Sequence, residues 1–288
     1  MFMKALYTHI IIVVAMCVFP AMGHSQTWND ADKQKIESLL RQAKQMPRAT
    51  CWELFFARSF LGVPYVAHTL EVNDTEQLVV NTRELDCTTL VETVAALTLC
   101  ARQQVYTFRN YTDNLAVLRY RHGVLNGYTS RLHYFTDWIL DNEAKGLVEE
   151  IQSPVSVFSA VQTINVGFMS VNPGYYKFLR ANPDSVPAIA KTEDALNGRS
   201  FRYIPKNAVV NTAAMRNAVH DGDIIAITCN KKGLDIAHLG FAVWRNDGLH
   251  LLNASMIHKK VVEEPMTLRT YLGKHASHTG IRIVRIVK

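Results

Sequence analysis

The sequence predicts an α+β fold: N-terminal helices packed on an antiparallel sheet, with a helical insertion between them. Three observations lead there. Apolar residues recur at helical spacing early in the chain, as at Leu90, Val91, Val94 and Leu97. Short β-branched runs crowd the last third, two of them separated by the tight-turn signal Asn246-Asp247-Gly248. Helices come first and strands follow, rather than alternating with them, which is the α+β order.

The first 23 residues read as a signal peptide. Lys4 precedes an apolar run over 10–19, and Ala21-Met22-Gly23 supplies small residues at the positions a signal peptidase reads, so cleavage is expected after Gly23 or Ser25. The run is shorter than the roughly 20 residues a membrane span needs. Met16 is too large for the position before a lipidated cysteine, which argues against an anchor at Cys17. The expected mature protein is soluble, periplasmic and without a transmembrane span.

Asn29 caps a predicted helix that runs to about Met46 with Ile36, Leu39, Leu40 and Ala43 inward. A second spans about 49–60 and stops at Gly62. A third starts at Cys87 and reaches about Gln103. Thr112 is the expected cap of a short helix to Tyr120, and the segment from Arg131 leads into a helix that stops at Gly146. Pro154, Pro173, Pro183 and Pro187 break residues 150–200 into short helices and loops. Strands are predicted over 223–228, 239–245, 248–253, 258–263 and 281–287 as an antiparallel meander. One domain over 24–288 is expected, with residues 105–200 inserted to shape a substrate site.

The net charge of +6 suits anionic surroundings, but no Lys/Arg run of nucleic-acid type accompanies it, so nucleic acid is not an expected partner. Beyond the leader the cysteines are Cys51, Cys87, Cys100 and Cys229. An oxidising compartment favours disulfides. If Cys87 is a nucleophile it stays free, and the other three form at most one bridge, with the pairing open. No Cys-x-x-Cys or His-x-x-x-His pair suggests a zinc site.

Cys87 carries the chemistry. A cysteine at a helix start meets unpaired N–H groups and the positive end of the helix dipole, which favour a thiolate. The competing reading is a packed small hydrophobe. A nucleophilic thiol needs a base, and His238 stands at the start of an apolar strand. Asn253, across the Asn-Asp-Gly turn, is placed to accept the imidazole N–H and hold the useful tautomer. The competing reading for Asn253 is a strand-end residue satisfying a turn.

Gly62-Val63-Pro64-Tyr65, Asp86-Cys87-Thr88-Thr89-Leu90-Val91-Glu92, His238-Leu239-Gly240-Phe241-Ala242 and Leu252-Asn253-Ala254-Ser255 occur in that order. Together they resemble the NlpC-type papain-like peptidoglycan hydrolases. Arg131-Leu132-His133-Tyr134-Phe135-Thr136-Asp137-Trp138 and Gly233-Leu234-Asp235 look like the N-acetylmuramoyl-L-alanine amidase-like branch, and the resemblance covers about residues 35–285. It implies a papain-like core with catalytic Cys87, His238 and Asn253, and Tyr65 beside the nucleophile to polarise the scissile carbonyl. It implies no cofactor or metal, a monomer, and a muropeptide or peptidoglycan fragment as substrate. The bond is the amide joining the lactyl group of N-acetylmuramic acid, including the 1,6-anhydro form, to L-alanine. Arg131 and His133 are the candidates for binding sugar or lactyl. Asp86 is expected to cap the nucleophile helix and, as an anion beside Cys87, to raise the thiol pKa, so it is not taken as catalytic. Two departures matter: relatives often carry Gly-Gly soon after the tyrosine and Ser-Gly after the cysteine, where this chain has Val66-Ala67-His68 and Thr88-Thr89. They argue against a D-glutamyl–diaminoacid endopeptidase, which stays as an alternative beside a non-catalytic muropeptide-binding protein.

Overall fold

The computed structural model describes residues 26–287; the signal peptide expected over 1–23, and Cys17 within that segment, lie outside the described residues. Helix α1 (Asp30–Ala43) opens with a capping box, in which Asn29 Oδ1 accepts the Asp32 N–H at 2.8 Å. It buries Ile36, Leu39, Leu40 and Ala43, the stripe its spacing predicts. Helix α2 (Trp52–Arg58) is shorter than predicted, and α3 (Cys87–Gln103) has the predicted bounds. Helix α4 (Phe108–Arg119) starts earlier than expected, because Thr107 and not Thr112 is the cap: Thr107 Oγ1 accepts the Asn110 N–H at 3.1 Å. The Thr112 hydroxyl is buried in the helix and donates to the Arg109 carbonyl at 2.8 Å. Helix α5 (Phe135–Ala144) is followed by Gly146 at φ +65°, a left-handed position that ends it at low steric cost.

Strands β1 (Gln26–Thr27) and β2 (Leu78–Val79) form a small parallel pair. The main sheet has eight strands. In chain order they are β3 (Val148–Ile151), β4 (Ala160–Thr163), β5 (Ser200–Pro205), β6 (Ile224–Cys229), β7 (Ile236–Arg245), β8 (Gly248–Ser255), β9 (Lys260–Glu263) and β10 (His278–Ile286). Across the sheet the order is β4-β5-β10-β6-β7-β8-β9, with β3 also paired to β10. The predicted meander therefore holds from β6 to β9 only. The last strand returns to the far side of β6 and joins it to β5.

Three of these strands were not predicted: β3 and β4 come from or border the stretch read as helices and loops, and β5 lies ahead of the first predicted strand. The reason is visible in β3, where Glu150 faces inward between Val148 and Ile151. A charged inward residue spoils the apolar alternation that identifies a strand. It is tolerated because Arg282 of β10 meets it in a buried pair, with Nη2 to Oε2 at 2.9 Å.

The sheet separates two apolar layers. Leu239, Phe241 and Val243 of β7 pack with α1 to α5, and Ala242 packs on the other side with α9 (Ala213–Ala218) and α10 (Leu268–Gly273). A third cluster gathers α6 (Phe168–Val171), α7 (Lys177–Ala181) and α8 (Val186–Leu196) around Tyr128 and Tyr134. It forms a wall beside the start of α3. No helix among the described residues is long and apolar enough to cross a membrane.

Candidate active site

Helix α3 starts at Cys87 because Asp86 caps it. The Asp86 carboxylate accepts the Thr89 N–H at 2.8 Å, and the Thr89 hydroxyl accepts the Asp86 N–H at 2.8 Å. Behind that cap, residues 89–101 are buried, so the helix cannot shift without opening the core. Cys87 sits part-buried at the exposed end and shares a cleft with Leu239 of β7.

His238 reaches the same place from β7. Ile227 of β6 pairs with His238 but Thr228 pairs with Ile236, so Ala237 is an extra residue in β7. Such a bulge bends a strand and re-aims the side chain beside it. The imidazole Nε2 lies 2.9 Å from Asn253 Oδ1. Asn253 is fully buried, and its Nδ2 donates to Glu264 Oε1 at 3.1 Å. Glu264, which sequence reasoning passed over, is 1% exposed and meets His258 Nε2 at 3.2 Å through its other oxygen.

Gly240 makes this approach possible. A Cβ there would lie 2.6 Å from the Leu252 carbonyl oxygen and 3.0 Å from Asn253 Cβ. Gly240→Ala must push β8, and Asn253 with it, away from His238. We expect about 1–3 kcal/mol of destabilisation from overpacking. Thermal melting together with catalytic assay checks this, and an unchanged melting temperature would refute it.

Cys87 and His238 line one cleft of about 180 Å³, together with Thr88, His133, Phe135 and Asp235. A second hollow of about 190 Å³ shares Thr88, His133 and Tyr176 with it and extends past His68, Glu71 and Asp86. The two form a groove past the thiol. Tyr65 pairs its backbone with Leu85 near the helix start. Burial, with the Cys87 and Asp86 charges added, pushes its phenol up to about 12, so it is a donor at neutral pH.

The sugar candidates divide. His133 donates from Nε2 to the Tyr128 carbonyl at 2.9 Å, and burial beside Arg131 pushes its imidazole down to about 3. The ring is therefore neutral, and Nδ1 is an acceptor in the wall common to both hollows. Arg131 lines the second hollow. Its guanidinium lies 3.3 Å from Glu71, 3.6 Å from Glu76 and 4.7 Å from the Tyr128 ring centre, so its charge is already matched. It braces the wall of the second hollow.

The electrostatics also correct the expected thiolate. Burial first, then the Asp86 carboxylate, pushes the Cys87 thiol up to about 12, against the bonds from Leu239 and Thr88. The helix start does offer positive charge, but Asp86 occupies it as the cap. Burial likewise lowers the His238 imidazole, partly offset by Asn253 and Glu264. The resting pair is a neutral thiol beside a neutral imidazole. Cys51, Cys87, Cys100 and Cys229 are all free, so none of the bridges left open by the sequence forms. Among the described residues no three His, Cys, Asp or Glu side chains are grouped to hold a metal ion.

Residues 55–281, which include every side chain of this groove named above, match the family model for N-acetylmuramoyl-L-alanine amidase-like proteins. The chain belongs to the N-acetylmuramoyl-L-alanine amidase-like family. This amidase-like protein is similar to the crystal structure of an N-acetylmuramoyl-L-alanine amidase from Bacteroides uniformis. They share 39% identity at a TM-score of 0.76 over 86% of this chain and 100% of that one. A Bacteroides fragilis structure described as a candidate xylanase is 40% identical, at a TM-score of 0.75 over 80% of this chain and 99% of its own. A Legionella pneumophila protein at 22% identity shares the fold, with a TM-score of 0.70 over 90% of this chain and 95% of that one. No curated protein matches the amidase-like chain. The family motif of the sequence now has physical content. Phe135 and Trp138 stack at 4.9 Å in the core, Tyr134 donates to Glu193 at 2.6 Å, and Asp137 pairs with Arg121 at 3.0 Å. Asp235 Oδ2 accepts the Thr136 N–H at 2.8 Å, which ties the start of α5 to the start of β7.

Proposed function

We propose that this protein is an exported cysteine amidase that cleaves muropeptides between the lactyl group of N-acetylmuramic acid and L-alanine, 1,6-anhydro sugars included. One observation carries the cysteine mechanism: Cys87 and His238 share a cleft, and His238 is oriented by a buried Asn253. The same placement favours a papain-like core of the NlpC type, organised as one catalytic domain over 24–288. The apolar leader with small residues at 21–23 supports export to the periplasm.

In this reading His238 Nδ1 takes the thiol proton as Cys87 Sγ attacks the lactyl carbonyl carbon. The Cys87 N–H, at the first position of α3 where no intrahelical acceptor exists, and the Tyr65 hydroxyl hold the oxyanion. The imidazolium then gives its proton to the alanine nitrogen, the C–N bond breaks, and the stem peptide leaves with a free amine. Water, deprotonated by His238, hydrolyses the thioester and returns the thiol. His133 Nδ1 accepts a substrate N–H or O–H from the groove wall.

Mass spectrometry of a defined anhydro-muropeptide incubated with the mature protein tests the reading. The expected products are free sugar and intact stem peptide. A Cys87-dependent cut within the peptide would replace the amidase by the endopeptidase, and unchanged substrate would favour the binding protein.

The neutral resting pair sets the pH dependence. The base is the unprotonated imidazole, so kcat/KM falls as pH drops through the His238 pKa, which lies below the usual value near 6.5. A thiol at about 12 adds no alkaline limb. Iodoacetamide should label Cys87 slowly at pH 7 and about tenfold faster per pH unit above it. A labelling rate that is flat from pH 5 to 9 would instead mean a preformed thiolate.

A further inference from the structure

We propose that Glu264 is a positioning residue for proton transfer: it locks the Asn253 amide, and through it the tautomer of His238. This rests on the cysteine-amidase reading above. An asparagine amide turned by half a rotation exchanges its oxygen and nitrogen with little change of shape. Asn253 by itself therefore offers His238 either an acceptor or a donor. Glu264 removes the choice. Its carboxylate accepts only, and Oε1 stands 3.1 Å from Asn253 Nδ2. Turning the amide would set two acceptors against each other at a site where Asn253 and Glu264 are 0% and 1% exposed. A buried polar contact without a hydrogen in it is strongly unfavourable.

The consequence reaches the nucleophile. With Oδ1 held toward His238 at 2.9 Å, Nε2 must carry the hydrogen. That leaves the Nδ1 lone pair as the base for the Cys87 thiol. The opposite tautomer would present Nδ1–H to the sulfur and could not take its proton. Glu264 is itself fixed by its backbone: its N–H donates to the Leu251 carbonyl at 2.8 Å and its carbonyl accepts from His250 Nδ1 at 2.9 Å. Its second oxygen meets His258, 38% exposed, at 3.2 Å, so the line His238–Asn253–Glu264–His258 runs from the cleft to solvent.

Glu264→Gln keeps the shape but adds a donor, which permits the turned amide. We expect kcat to fall by about 30-fold or more, between the effect of a lost supporting contact and that of a wholly wrong tautomer. KM should stay within about threefold, because substrate contacts are untouched. Glu264→Asp should recover part of the loss. The double variant Asn253→Ala/Glu264→Gln should lose no more than Asn253→Ala alone, since both act through one amide. The acid limb of kcat/KM should also move to lower pH in Glu264→Gln. The charge lost is one that supports the imidazolium, while Asp86 and Cys87 of α3 and His275 and His278 before and in β10 remain around it.

A second measurement needs no variant of Glu264. The ¹⁵N spectrum of histidine-labelled native protein, with His238 assigned by its loss in His238→Gln, should show hydrogen on Nε2. An Nδ1–H tautomer would overturn the proposal even if Glu264→Gln fails to fold. Activity of Glu264→Gln within threefold of native, or strictly additive losses in the double variant, would overturn it too. Those results leave the amidase reading standing so long as Cys87→Ala is inactive. Full activity in Cys87→Ala would remove that reading instead.

Discussion

Cys87→Ala is expected to abolish release of the stem peptide, with kcat/KM lower by on the order of 10⁴-fold or more, as when the nucleophile of a triad is removed. The loss should fall on chemistry and not on folding. Cys87 is the first residue of α3 and lies outside the buried run 89–101, and the Asp86–Thr89 capping box does not use its side chain. Alanine is also the best helix former. The melting temperature should therefore stay within about 2 °C of native, since a change below about 1 kcal/mol moves a chain of this size only a few degrees. Substrate binding should persist, because Thr88, His133 and Tyr176 between the two hollows are unchanged. Cleavage assay, melting curve and a binding isotherm separate these effects. A variant that keeps even a tenth of native activity would rule out Cys87 as the nucleophile, since among the described residues Cys87 is the one cysteine that lines the cleft.

The largest structural effect is expected from Glu150→Gln. Glu150 and Arg282 are buried together, with side chains 1% and 0% exposed. The guanidinium also donates to Thr136 Oγ1 at 2.7 Å and lies 4.1 Å from the Phe201 ring centre. One side chain thus joins β10 to β3, to α5 and to β5. Glutamine fills the space but leaves the buried cation without its counter-charge, and breaking such a pair costs about 3–5 kcal/mol. At roughly 2–4 °C per kcal/mol the melting temperature should drop by on the order of 10 °C. The pair is not thereby a large net stabiliser, since its desolvation offsets much of its attraction. Accordingly Glu150→Leu/Arg282→Met should be more stable than Glu150→Gln. Differential scanning of the three proteins checks this, and a double variant less stable than the single one would contradict it. The activity of folded Glu150→Gln should change little, as neither residue lines the cleft.

Local signals were enough for much of the fold. Asn29, Asp86 and the apolar stripe behind each locate α1 and α3, because capping and 3.6-residue periodicity act within a few residues of the chain. The Asn246-Asp247-Gly248 turn and its flanking alternation likewise specify β7 and β8, and so the shared edge of His238 and Asn253. Where partners are distant the sequence is silent. Val148-Glu149-Glu150-Ile151 reads as a charged loop until Arg282, 132 residues later, neutralises it. The placement of β10 between β5 and β6 is equally non-local.

The site shows the same division. Residue types and their placement nominated Cys87, His238 and Asn253, and the family resemblance added Tyr65 and amide chemistry. Only the tertiary structure decided their states. It neutralised the thiol–imidazole pair, because burial and the Asp86 cap outweigh the helix dipole. It surrounded Arg131, in the wall of the second hollow, with Glu71, Glu76 and Tyr128. It also brought Glu264 behind Asn253, a contact without any motif. Short-range backbone preferences are written in neighbouring residues, whereas charge state and hydrogen-bond direction depend on which distant groups the fold places within a few ångströms.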